Sequence, residues 1–212
     1  VDLSSFWPWA GPGPGPWFHP WAGTAPGPWF FPYSSGTGGP FTLFGQPAAP
    51  ATLTADASDY DMGVAVTVSR TVQLNAIWFY SAPGAADLPQ QITLWRNTGA
   101  GTGVLVANQV ASWSGAAGSG WVRAAFSSPP AMTAGNQYKP GILHTTLANF
   151  YSATAHYWDV GPGAGGITNG PLTGLNNASA DGGQDTFIGS AALTYPNTSF
   201  NAANYWIDPE VQ

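Results

Sequence analysis

Three aspartates, Asp56, Asp59 and Asp61, are the first residues whose type and spacing suggest chemistry. Carboxylates a few positions apart in a loop, helped by loop carbonyls, are what a calcium ion selects. No cofactor is expected; these three are the candidate calcium ligands, and the competing reading is that they are solvated loop acids. His144 and His156 stand 12 positions apart and could meet across a hairpin, with Asp159 as the third ligand that zinc needs. The bland reading of such histidines is polar surface. Glycosidase chemistry needs two carboxyl groups about 5–10 Å apart. Glu210 is the only glutamate, and the close carboxylates Asp59/Asp61 and Asp181/Asp185 fall in apparent loops. There is no G-x-S-x-G elbow and no cysteine. The Gly-Pro alternation at 11–16 precedes no helix, so it cradles no phosphate. These residues predict a protein that is not an enzyme.

Binding is the other chemistry on offer. Sugar sites pair exposed aromatic rings with side-chain amides. Trp113, Tyr157, Trp158 and Asn169 lie in or beside predicted loops and form a candidate ligand site. Asn177-Ala-Ser and Asn197-Thr-Ser match the glycosylation sequon, which has meaning only in a eukaryotic secretory setting.

The charge balance restricts partners. Only 7% of the 212 residues are charged, against about 25% in ordinary globular proteins. Four cations, Arg70, Arg96, Arg123 and Lys139, oppose ten acids, for a net charge of −6. Neutralising phosphates needs clustered lysine and arginine, so nucleic acid is not an expected partner. No apolar run approaches the roughly 20 residues of a membrane span. No basic and apolar leader opens the sequence, which points away from a secretory signal here.

The elements that must position these groups read as strands. Val64–Val68, Val72–Tyr80, Gln91–Arg96, Val104–Val110, Trp121–Phe126, Gln137–Leu143, Asn149–Tyr151 and Asn204–Asp208 are β-branched, aromatic or alternating. Pro and Gly turns separate them, and no sustained helical periodicity appears. This spacing predicts an all-β fold, an antiparallel β-sandwich of jelly-roll or immunoglobulin-like type. In the strand with Leu94 and Trp95, period-2 alternation predicts one residue in the core and one on the outer face. The Gly-, Asn- and Thr-rich stretch 160–200 is expected to run over the surface without secondary structure.

Residues 1–40 are different and are expected to form a separate unit before a 41–212 domain. They hold nine Pro, eight Gly and ten aromatics, with Asp2 as the only charge. Pro8–Trp21 repeats as Pro20–Tyr33 at an offset of 12, with ten of fourteen positions identical. His19 stands where the second copy has Phe31, which predicts packing rather than metal binding. Proline fixes φ and removes a donor, so an extended arm is expected. Rings bury roughly 150–250 Å² each when covered. Left bare they would exceed the apolar patch a soluble monomer tolerates. Trp7, Trp9, Trp17, Phe18, Trp21, Trp29, Phe30, Phe31 and Tyr33 are therefore candidate assembly contacts, most simply with a second subunit of the same assembly.

Several motifs, in order, carry a family likeness over about residues 41–210. They are Phe41-Thr42-Leu43-Phe44-Gly45, Ile77-Trp78-Phe79-Tyr80, Ile92-Thr93-Leu94-Trp95-Arg96-Asn97-Thr98-Gly99 and Gly103-Val104-Leu105-Val106-Ala107. Gly120-Trp121-Val122-Arg123, Thr133-Ala134-Gly135-Asn136-Gln137-Tyr138 and Asn204-Tyr205-Trp206-Ile207-Asp208 follow. The set resembles a bacterial β-sandwich domain family of unknown function, found beside immunoglobulin-like or carbohydrate-active domains in secreted proteins and in bacteriophage structural proteins. The resemblance implies a non-catalytic surface or attachment module. The expectation is a structural, interaction protein of a multisubunit assembly, in a phage virion as a tail or capsid-decorating component. The alternative is a secreted bacterial carbohydrate-binding or cell-surface filament module. Other subunits, and a surface glycan, are the expected partners, in a virion or at an extracellular surface.

Overall fold

The β-branched and aromatic runs form strands, and among the described residues there is no helix. The computed structural model describes residues 39–46 and 53–212. The arm residues named above, Trp7 to Tyr33, lie outside the described residues. The strands are β1 (Phe41–Thr42), β2 (Tyr60–Val64), β3 (Val66–Val68), β4 (Val72–Ser81), β5 (Gln91–Gly99), β6 (Thr102–Val110) and β7 (Gly120–Ala125). They continue with β8 (Ala131–Met132), β9 (Gln137–His144), β10 (Ile167–Asn169), β11 (Leu172–Gly174), β12 (Asp185–Gly189) and β13 (Ile207–Val211).

Two antiparallel sheets result, as expected of a β-sandwich. The smaller has the order β1-β13-β4-β7, with β8 also on β4. The larger runs β10-β11-β3-β9-β2-β12. Strand β5 pairs with the other side of β9 and carries β6 at the sheet edge. Leu74, Ile77 and Phe79 from the small sheet bury against Met62, Val64, Ile92, Leu94 and Ile142 from the large one. Strand β4 changes phase between Leu74 and Ile77, because a register shift opposite Glu210/Val211 inserts one residue. That shift is why Ala76 and Ile77, adjacent in the sequence, are both buried.

Three expectations are corrected. The Asn149–Tyr151 segment is not a strand; Ser152 makes only an isolated bridge to Leu53. The last strand runs Ile207–Val211 rather than 204–208, and Asn204 forms a single bridge with Thr154. Pro209 lies inside it, opposite Ile77. Leu43, next along β1, turns its N–H to the Asp208 carboxylate instead. Residues 160–200 are not a bare surface loop. They contribute β10, β11 and β12, and Gln184, Asp185 and Thr186 are fully buried.

The same stretch covers the outer face of the large sheet. Leu94 enters the core, but Trp95 is also buried, capped edge-to-face by Tyr195 at 5.9 Å. Lys139, facing outward beside Trp95, disappears under the same cover. Its ammonium donates to the carbonyls of Asp181 and Pro196 and to Thr186 Oγ1, each at 3.0 Å, and lies 4.9 Å from the Tyr195 ring centre. Three acceptors and a ring face replace water around this charge. Burial still pushes its pKa down to about 8, against the pull of Asp181 and Asp185.

Candidate functional site

Strand β2 alternates Tyr60, Met62 and Val64 toward the interior, with Asp61 and Gly63 on the outer face. Register fixes this, because a period of two admits only one face to the core. Beside β2, the neighbouring strand β12 places Phe187 opposite Met62. Two irregular segments complete the site. One follows β9 and carries Tyr151 and Ala153. The other precedes β13 and carries Ala203 and Tyr205. Thr154 and Asn204 tie the two together by a pair of backbone hydrogen bonds. Trp206 takes a left-handed φ of 56°, rare for a bulky residue. The Asn204 side chain holds it there by accepting the Trp206 N–H.

Four rings close into a cycle. Tyr60 meets Tyr151 at 5.9 Å, Tyr151 meets Tyr205 at 5.8 Å, Tyr205 meets Phe187 at 6.2 Å, and Phe187 meets Tyr60 at 5.4 Å. Every neighbouring pair is close to perpendicular, at 79–89°. All four line one cleft of about 410 Å³. Ala153, Ala155 and Ala203 line it too, and their small side chains leave the space open. Phe200, 63% exposed, stands among its lining residues. The volume falls within the roughly 300–1,000 Å³ of small-molecule pockets.

One carboxylate belongs to the cleft. Asp56 accepts from Tyr60 at 2.6 Å, from Tyr151 at 3.0 Å and from Ser58 at 2.8 Å. Burial raises its pKa, but the hydroxyls of Tyr60, Ser58 and Tyr151 outweigh that and hold it below the usual carboxylate value. The two tyrosines move the other way. Burial, then the Asp56 bond, pushes both phenols up, so they stay protonated donors. The site is thus an aromatic box with one fixed negative charge.

The residues singled out from the sequence are placed elsewhere, with one exception. Asp56 is in the cleft, but Asp59 and Asp61 do not join it. Asp59 accepts the Leu147 N–H, and Asp61 lies on the outer face of β2 accepting the Thr194 N–H. Burial pushes Asp61 up to about 8, against the Thr194 N–H and the Trp95 indole. The expected calcium site is therefore not assembled: among the described residues, no three His, Cys, Asp or Glu side chains converge as a metal site. The zinc set disperses for the same reason. His144 is buried and stacked on Phe150 at 3.7 Å, while His156 pairs with Asp159 at 3.1 Å in solvent. Asp181 receives the Gly101 N–H and Asp185 the Tyr205 N–H, so these carboxylates serve separate backbone groups.

The candidate sugar residues do not form a platform. Trp158 is fully buried and Tyr157 nearly so, packed with Phe44 and Trp206. A covered ring offers no face to a pyranose. Trp113 packs on Phe79 and donates its indole N–H to Pro89. Asn169 donates to the Thr42 carbonyl and fastens β10 beside β1. The box residues Tyr60, Tyr151, Phe187 and Tyr205 were missed because four separated segments supply them. The alternation of Tyr60 with Met62 and Val64 was the one local signal.

The chain matches the family model described as Domain of unknown function (DUF4082) over residues 46–207, more than half its length. It belongs to that family. No curated protein and no solved structure matches it.

Proposed function

We propose that this member of the DUF4082 family is a non-enzymatic structural and interaction protein of a multisubunit assembly. Its setting in this reading is a bacteriophage virion, as a tail or capsid-decorating component. The single observation that carries it is the edge strand β6. Among the described residues this strand pairs only with β5. It runs nine residues without a charge or a proline. Val104, Leu105 and Val106 are all exposed in succession, and Val110 is 76% exposed. Proteins that stay alone blunt such edges with lysine, proline or short length. An unblunted apolar edge is a template for a strand of another chain, held by main-chain hydrogen bonds. The ring-rich sequence of residues 1–40, with Asp2 as its one charge, supports the same reading. A bacterial cell-surface filament is the alternative setting, and it would use the same edge.

The test is solution mass by light scattering on the full chain, with Val106→Lys beside it. The wild type is expected above monomer mass at micromolar concentration, and the variant is expected to lose mass while keeping its β-rich circular dichroism. A wild type that remains monomeric at every concentration overturns the reading.

A further inference from the structure

The cleft has a more specific chemistry than general aromatic character. Neighbouring rings meet edge to face, and all four line the same cleft. A cation within about 6 Å of a ring face is attracted to it, so a cation in this cleft is drawn to its aromatic lining. A pyranose needs something else, a flat ring face left open on one side. Here the neighbouring ring blocks that approach.

Charge complementarity selects the sign of the occupant. Asp56 holds its carboxylate at the cleft by three hydroxyl donors. The alkyl surface of Ala153, Ala155, Ala203 and Met62 suits a cation that carries carbon on its outside. Among the described residues, a bare metal ion would find one carboxylate on the cleft lining and no group of three metal-ligating side chains. A primary ammonium keeps a tight water shell that rings cannot replace. An alkylated ammonium is already partly stripped of it.

We propose that the box formed by Tyr60, Tyr151, Phe187 and Tyr205 binds a quaternary ammonium group, with Asp56 as its counter-charge. The source is a soluble cation or a lipid headgroup of that chemistry. The inference does not depend on how the chain assembles. Monomer and oligomer carry the same box.

The test uses the full wild-type chain and choline. Its neutral carbon isostere, with a tert-butyl group in place of trimethylammonium, is the comparison. Titration calorimetry is expected to show choline binding about tenfold or more tighter than the isostere, a gap of about 1.4 kcal/mol per tenfold. The N-methyl proton resonance of bound choline is expected to move upfield, because ring faces shield it. Asp56→Asn is expected to weaken choline by about tenfold and leave the isostere unchanged. Flotation with phosphatidylcholine vesicles assigns the lipid headgroup as source. Choline binding without flotation assigns a soluble cation. Equal binding of choline and its isostere overturns the proposal. So does the absence of any choline binding at millimolar concentration, and so does displacement of choline by a neutral sugar. These readouts use the wild-type chain, so they stand whether or not the variant folds.

Discussion

Asp208 offers the cleanest measurement of how this fold uses buried charge. Its carboxylate accepts the N–H groups of Leu43 and Phe44 and the side-chain amide of Gln46. It thereby anchors the segment that follows β1 onto β13. Burial pushes its pKa up from 3.8 to about 7, against the three donors just named. That displacement corresponds to about 4 kcal/mol of preference for the neutral form in the folded state. The folded pKa lies above the unfolded one. This contribution to stability is therefore fully present below about pH 4 and lost as pH rises through 7. Asp208→Asn fixes the group as neutral and keeps an oxygen for the Leu43 and Phe44 N–H groups. Equilibrium urea unfolding, followed by tryptophan fluorescence, should give wild-type and variant curves that differ in slope between about pH 4 and pH 8. The variant should gain up to about 4 kcal/mol relative to wild type across that window. Asp208→Ala, which orphans the Leu43 and Phe44 N–H groups, should cost about 2–4 kcal/mol near pH 4, where Asp208 is neutral in the folded wild type. Parallel pH profiles for wild type and Asp208→Asn would refute the reasoning.

Other parts of the fold give sharper yes-or-no results. Lys139→Met strands the Asp181 carbonyl, while the Pro196 carbonyl keeps the Thr186 hydroxyl as donor, and should lower stability by about 2 kcal/mol near neutral pH. With its folded pKa pushed below the unfolded one, Lys139 makes wild-type stability rise as pH goes from about 8 toward 10.5. The variant should lack that rise in thermal melts, and an unchanged rise would count against the assignment. Tyr195→Ala should expose Lys139 to amine-acylating reagents and Trp95 to fluorescence quenchers; an unreactive Lys139 would show that Tyr195 is not its cover. Gly141→Ala puts a Cβ only 2.0 Å from the Met62 carbonyl oxygen, a backbone atom that cannot swing aside. It should cost about 3 kcal/mol or more by prising β9 from β2, and a wild-type melting temperature would refute this.

How much was legible in the sequence depended on whether the signal was local. Strands β4, β5, β6, β7 and β9 were readable because alternation and turn residues sit within each segment. Strand β13 was misplaced because Pro209 breaks the pattern that sequence reasoning relies on. The 160–200 stretch was misread because three consecutive fully buried positions, Gln184, Asp185 and Thr186, are polar and carry no apolar period. Trp158 misled in the opposite way. A tryptophan near glycines resembles an exposed sugar platform. Here the neighbouring glycine lets the backbone lie against the indole: a Cβ on Gly163 would stand 2.4 Å from Trp158. The aromatic box had no sequence period at all, because its geometry exists only after β12 docks on β2.

That docking links the buried polar groups to the site. Asp185, Thr186 and Phe187 are consecutive on β12, and each does a different job. Asp185 holds the Tyr205 N–H, with its pKa driven up to about 8 by burial against the pull of that N–H, the Trp158 indole and Lys139. Thr186 faces the opposite side and accepts from Lys139. Phe187 returns to the inner side as one wall of the box. A slip of one residue in β12 would turn Phe187 toward Lys139 and leave Thr186 in the ring cycle. Apolar side chains at 139 and 186 could fill the same volume, but they would tolerate either register. A buried ammonium with three fixed acceptors tolerates only one. Its cost in desolvation is thus offset by specificity, the best-attested use of buried polar groups. Two of the four walls, Phe187 and Tyr205, depend on that single choice of register.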